Sequence, residues 1–226
     1  MPGMRQLALE LASAPAPTLA NFIAGDNVEV LAALRSFGIA GGERFIYLWG
    51  GAGSGRTHLL RAVLQAARDA DRPAHTIAPG DALAGIAADA LICVDDVQRF
   101  SPPAQIELFN IFNELKDGGG ALLAAGDVPP ARLPLRADLL TRLASGLVYE
   151  VHALSEEARR VAMRDYAAAR GFTLPAEVLD YVLARAPRDL RTLRALIDML
   201  DRRSLEQKRP ITVPLARELL QTAQQQ

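Results

Sequence analysis

Short unbroken apolar runs alternate with longer amphipathic stretches through the first two thirds of the chain, and the last third is amphipathic throughout. The runs are Phe45–Trp49, Ala90–Val94 and Ala121–Ala125, while His75–Ala78 and Leu147–Val151, which carry polar residues, read as further strands. Apolar runs without polar alternation read as strands buried on both faces, the habit of a parallel sheet covered by helices. Between them the spacing predicts helices over 28–37, with Asp26 or Asn27 as cap, from His58 onward, over 81–88, and from Ser101-Pro102-Pro103 to Leu115. Lys116–Gly120 closes that last helix, and a further one ends at Leu139–Gly146. From Leu154 the pattern is wholly helical, broken at Gly171–Leu174, at Ala186-Pro187 and at Arg209–Val213. The fold class is therefore α/β, a parallel sheet flanked by helices, followed by a small C-terminal helical lid domain. The expected division is a loose Ala/Pro-rich arm over 1–17, a nucleotide-binding domain over 18–152 and a lid over 153–226.

The first candidate chemistry sits between the strand at 45–49 and the next helix. Gly50-Gly51-Ala52-Gly53-Ser54-Gly55-Arg56-Thr57, followed by His58, is a glycine loop in strand–loop–helix context. That is the setting of a phosphate-binding P-loop, in which backbone N–H groups and a helix N-terminus face an anion. Thr57 stands where a hydroxyl would hold Mg²⁺. Arg56 replaces the usual lysine; it keeps the charge but is longer and planar, which alters the phosphate geometry.

Asp95 and Asp96 end the strand at 90–94, at the same sheet edge as the loop. Asp95 reads as the Walker-B carboxylate that holds Mg²⁺ directly or through water, and Asp96 is placed to orient a water. Asp127, after Gly126 at the end of the neighbouring strand, reads either as a sensor of the terminal phosphate or as a plain strand-ending turn. Arg142 reads as a surface charge or as a cation reaching a neighbouring subunit's nucleotide, and Arg188 as an exposed charge or a cation that swings onto a bound phosphate.

Composition narrows the class. Half of the 226 residues are hydrophobic and the formal net charge is −1, without the basic excess of a dedicated nucleic-acid binder. The single cysteine, Cys93, leaves no internal disulfide and reads as a small buried apolar residue. No apolar run reaches membrane-span length and no signal pattern opens the chain, so the expected setting is the cytoplasm. His58, His75 and His152 lack metal-ligand spacing. In the arm, Gln6, Leu7, Leu9 and Leu11 read as an extended docking peptide or as a loose end with incidental leucines.

These motifs together resemble the AAA+ ATPases, and within them the proteins related to the replication initiator DnaA. Asn21-Phe22 with Gly25-Asp26-Asn27 is similar to the segment that lies near the adenine in that family. Val94–Gln98 is similar to its Walker B, Phe109–Asn113 to the helix that follows, and Gly126-Asp127 with Pro129-Pro130 to its sensor I. Arg142 matches the arginine finger and Arg188, before Asp189-Leu190, matches sensor II. The arm is similar to a peptide by which regulators of this family dock on the replicative sliding clamp, the DNA polymerase III β subunit. The initiator's long N-terminal region and its helix-turn-helix DNA-binding domain have no counterpart in this sequence.

The resemblance implies an ADP-bound (or ATP-bound), Mg²⁺-dependent protein that contacts DNA only through the clamp and stimulates hydrolysis of DnaA-bound ATP through Arg142 in trans. Whether it forms a homo-oligomer stays open. An alternative is a stand-alone AAA+ ATPase that remodels or loads a replication partner; Arg56 and the short Asp96 count against it. A third reading, a DNA-binding initiator paralogue, is opposed by the near-neutral charge.

Overall fold

The computed structural model describes residues 16–39, 41–81, 85–187 and 189–224. These form two compact units, one over Pro17–Ser155 and the other from Glu156 onward. Among the described residues no helix is long and apolar enough to cross a membrane.

In the first unit a five-stranded sheet is built from β1 (Phe45–Trp49), β2 (Ala74–Ile77), β3 (Leu91–Val94), β4 (Ala121–Gly126) and β5 (Leu147–Glu150). The spatial order is β2-β3-β4-β1-β5 and every pairing is parallel. Parallel pairing requires long crossovers, and helices supply three of them: α2 (Arg56–Asp69), α3 (Pro102–Gly118) and α4 (Ala137–Leu143); α1 (Val28–Arg35) precedes β1. Strand residues alternate between two cores. Ile46, Leu48, Cys93 and Leu123 pack with Val30, Leu31, Leu59 and Leu60 of α1 and α2. Tyr47, Ile92, Val94 and Leu122 pack with Leu108, Phe112 and Leu115 of α3 and Leu139 of α4.

The register sets the functional edge. Trp49 pairs with Gly126 and Val94 with Ala124, so β1, β3 and β4 finish side by side. Their exits carry the glycine loop, the Asp95-Asp96 pair and Asp127. Arg44, just before β1, donates to the carbonyls of Leu115, Lys116 and Gly120, placing a cation on the carbonyl end of α3.

Two expectations change. The helix expected over 81–88 does not appear in its described part. Asp81 instead accepts the Ala78 N–H at 2.8 Å, and Gly85 turns at φ +78°, so the described ends of the stretch are non-helical. Residues 82–84 lie outside the described residues. Asn27 stands at the N-cap position of α1 but makes no cap bond. Its amide donates to the carbonyls of Ala24 (3.0 Å) and His152 (2.9 Å) and its oxygen accepts the His152 N–H (2.7 Å). The side chain joins the entry of α1 to the chain leaving β5, and is 1% exposed.

The second unit is an all-helical bundle of α5 (Glu156–Ala169), α6 (Ala176–Leu183), α7 (Leu190–Gln207) and α8 (Val213–Gln224). Met163, Val178, Leu179, Leu193, Ile197 and Leu215 form its core. Asp189 caps α7 by accepting the Thr192 N–H at 2.8 Å.

Candidate nucleotide site

β1 delivers the chain into the glycine loop, and Arg56 is the first residue of α2. Unpaired loop and helix N–H groups therefore converge at one sheet edge, the arrangement that favours an anion. Gly55 holds φ +101°, and a Cβ there would stand 2.6 Å from the Phe22 ring. Phe22 lies against the loop for that reason. Its ring is 5.4 Å from that of His58, and His58 Nε2 donates to the Thr18 carbonyl at 3.0 Å. Thr18 and Asn21 close the turn, each backbone N–H bonding the other's side chain at 2.9 and 3.1 Å. Asn21, Phe22 and His58 are thus gathered at the start of α2.

Thr57 Oγ1 donates to Asp95 Oδ2 at 2.6 Å, and the other Asp95 oxygen accepts the Asp96 N–H at 3.0 Å. Among the described residues no group of three or more His, Cys, Asp or Glu side chains clusters as a metal cage. The Thr57–Asp95 pair fits Mg²⁺, which binds through one or two protein oxygens and completes its shell with phosphates and water. Ser54 Oγ and Arg56 Nη1 are buried without hydrogen-bond partners. Buried polar atoms left unmet are costly, and these two belong to the loop that would meet phosphate oxygens.

Asp96 adopts the left-handed conformation, φ +50° and ψ 48°, which Asp tolerates better than most residues. Gln98 Nε2 donates to its Oδ1 at 3.2 Å and the exposed Arg99 approaches its Oδ2 at 3.6 Å. Asp127 is exposed at the end of β4. Beneath that end the Tyr47 hydroxyl donates to the Val128 carbonyl at 2.8 Å. Burial first, and then the charge of Asp127, push the phenol above its ordinary pKa, while Arg56 acts in the opposite sense. Cys93 is pushed up to about 12, chiefly by burial, as a small apolar core residue would be.

Arg142 lies in the last turn of α4, half-buried, with its guanidinium carbon 5.4 Å from the Phe109 ring centroid and 5.9 Å from that of Phe112. Among the described residues it forms no ion pair.

A family model described as "Hda, lid domain" matches residues 156–220. The solved structure of the replication initiator DnaA bound to AMPPCP and single-stranded DNA matches with a TM-score of 0.71 at 26% identity, over 86% of this chain and 68% of that one. Domain III of the Thermotoga maritima initiator DnaA matches with a TM-score of 0.72 at 25% identity, over 92% of this chain and 97% of that one. The chain has the AAA+ fold of the DnaA initiators, and residues 156–220 resemble the lid of Hda. The Thermotoga maritima RuvB Holliday junction branch migration motor, at 15% identity and a TM-score of 0.69 over 91% of this chain and 72% of that one, shares the fold.

In this AAA+ protein the glycine loop, Thr57, Asp95, Asp96 and Asp127 come together at one edge of the sheet, and Asn21, Phe22 and His58 adjoin the loop. Arg142 stands on α4 with its aromatic platform on α3. Arg188 and the arm residues Gln6, Leu7, Leu9 and Leu11 lie outside the described residues. Four side chains were given no role of their own by the sequence. Gln98 follows the acid pair by two residues, Phe109 and Phe112 carry an i, i+3 spacing that reads as core, and Tyr47 sits inside an apolar run. Its phenol oxygen, beside the Trp49 indole N–H one of two side-chain polar atoms in that run, was the signal.

Proposed function

We propose that this chain is a regulatory inactivator of the DnaA initiator, binding ADP with Mg²⁺ in the loop Gly50–Thr57 and acting on ATP held by the initiator. In this reading the backbone of the glycine loop and Arg56 bind the phosphates, and Thr57 and Asp95 hold Mg²⁺. Phe22, Asn21 and His58 flank the base, and Arg188 adds a lid cation. Mg²⁺, when bound, neutralises charge on the phosphate oxygens. Residues 1–17 act as an arm whose Gln6, Leu7, Leu9 and Leu11 attach to the DNA-loaded sliding clamp, with DNA contacted only through it. Residues 18–152 act as the AAA+ domain and 153–226 as the lid, and the setting is the cytoplasm.

The observation that carries this reading is Arg142, a cation held on an aromatic platform with no ion-pair partner among the described residues. Such a guanidinium is available to charge from outside the chain. Placed on the initiator's terminal phosphate it stabilises the charge that builds on the phosphoryl oxygens as the leaving bond loosens; a finger of this kind contributes about 10³–10⁵ in rate. The clamp tether raises the effective concentration of the encounter. The test is initiator ATP hydrolysis with and without DNA-loaded clamp, using wild type, an arm deletion and Arg142→Ala. Clamp-dependent stimulation that the arm deletion and Arg142→Ala both abolish is the expected result.

A second reading, a stand-alone AAA+ ATPase that remodels or loads a replication partner, draws on the intact Thr57–Asp95 pair. The hold of Gln98 and Arg99 on Asp96 argues for slow hydrolysis in cis. Steady-state phosphate release by the purified protein alone separates the two.

A further inference from the structure

Tyr47 fills the middle of β1 in a run where every neighbour is purely hydrocarbon or indole, and it is 1% exposed. Phenylalanine would fill the same volume. A hydroxyl in such a place is costly unless bonded, so its partner indicates its use. That partner is the carbonyl of Val128, 2.8 Å away and one residue beyond Asp127. The bond therefore ties the strand that enters the glycine loop to the segment that carries Asp127.

The surroundings leave little latitude. A Cβ on Gly126 would lie 2.1 Å from the Tyr47 hydroxyl and 3.2 Å from Gln98 Oε1, so the phenol passes directly beneath Gly126. Gln98 Oε1 is buried there without a partner, while the same amide's Nε2 holds Asp96. The exits of β1, β3 and β4 thus meet in one small volume floored by the phenol. Asp127 and Arg56 both lie within electrostatic reach of that phenol.

We propose that Tyr47 is a positioning residue: through Val128 and Gly126 its hydroxyl fixes Asp127 relative to Arg56 and Thr57, and so sets how the site discriminates a nucleoside triphosphate from a diphosphate. This rests on the reading of Asp127 as facing the terminal phosphate. Tyr47→Phe removes one oxygen and preserves the packing, so the fold survives while Asp127 loses its anchor.

The experiment measures equilibrium dissociation constants for Mg·ADP and Mg·AMPPCP on wild type, Tyr47→Phe, Asp127→Asn and the double variant. Tyr47→Phe changes the ratio of the two constants about fivefold, the scale of one lost hydrogen bond, with the ADP constant within about twofold of wild type. Asp127→Asn changes the ratio as well, and the double variant goes no further than Asp127→Asn alone, because both act on one group. A ratio that Asp127→Asn moves and Tyr47→Phe leaves in place overturns the inference about Tyr47. A ratio that Asp127→Asn itself leaves unchanged overturns the reading of Asp127, and the role of Tyr47 with it. A second measurement separates positioning from packing. Gly126→Ala forces the alanine methyl against the hydroxyl and perturbs the ratio, and adding Tyr47→Phe restores it toward the Tyr47→Phe value. No restoration contradicts the contact between them.

Discussion

Thr57 and Asp95 come from strand exits 38 residues apart in sequence, yet their side-chain oxygens stand 2.6 Å from each other. The parallel register makes this so: β1, β4 and β3 lie side by side and end level, so the first turn of α2 and the carboxylate after β3 face the same point. Two hard oxygens at that separation suit the magnesium–nucleotide site proposed above.

Thr57→Ala removes one of those oxygens and leaves the loop backbone intact. Nucleotide affinity falls about tenfold in Mg²⁺, as for loss of a charge-assisted contact, and is unchanged in excess EDTA. Equilibrium titration under both conditions checks this; an equal loss without Mg²⁺ would point to loop damage.

Phe109 provides the nearer face beneath Arg142. Cation–π contacts contribute about 0.5–1 kcal/mol at exposed sites, so Phe109→Ala lowers stimulation of initiator ATPase about two- to fivefold while nucleotide affinity stays at the wild-type value. Phe109→Tyr retains the ring and the stimulation. An unchanged rate with Phe109→Ala assigns the ring to packing alone.

Asn27 makes three hydrogen bonds in a buried position, two of them to residue 152. Asn27→Ala orphans the His152 N–H and carbonyl, while the Ala24 carbonyl keeps the backbone N–H of residue 27, and it destabilises the first unit by about 2–3 kcal/mol. Asn27→Asp is no rescue, since an ionised carboxylate accepts only and places its charge against the Ala24 and His152 carbonyls. Urea unfolding reads both.

Cys93 gives a pH prediction. Its folded pKa of about 12 lies above the ordinary 9.0, so both states keep the proton below pH 8 and the thiol has no influence there. Between pH 9 and 12 the unfolded chain releases the proton and the native one does not, so stability falls as pH rises. Cys93→Ala removes that part of the fall, measurable as a flatter dependence of the urea midpoint on pH. Native-state thiol reagents remain unreactive at pH 8.

The sheet was legible because burial on both faces leaves an unmistakable mark: Leu91–Val94 and Ala121–Gly126 are buried at every position. The loop and the two aspartates followed from their places at the ends of those runs. What stayed hidden depends on contacts distant in sequence. Asn27 looks like a cap from its neighbours, and only the fold brings His152, 125 residues away, to compete for its amide. Phe109 and Phe112 share one apolar spacing, yet Phe112 is core and Phe109 remains half-exposed under Arg142. The stretch 81–88 carries helical spacing, and in its described part the Asp81 and Gly85 turns override it.

The central claim is that Arg142 serves a triphosphate held by another molecule. The direct measurement is the single-turnover rate of hydrolysis of initiator-bound ATP on a DNA-loaded clamp, with wild type or Arg142→Ala at concentrations that saturate the complex. The account predicts a fall of about 10³-fold or more with Arg142→Ala, while clamp binding and nucleotide content are retained. An Arg142→Ala rate equal to that of wild type contradicts it.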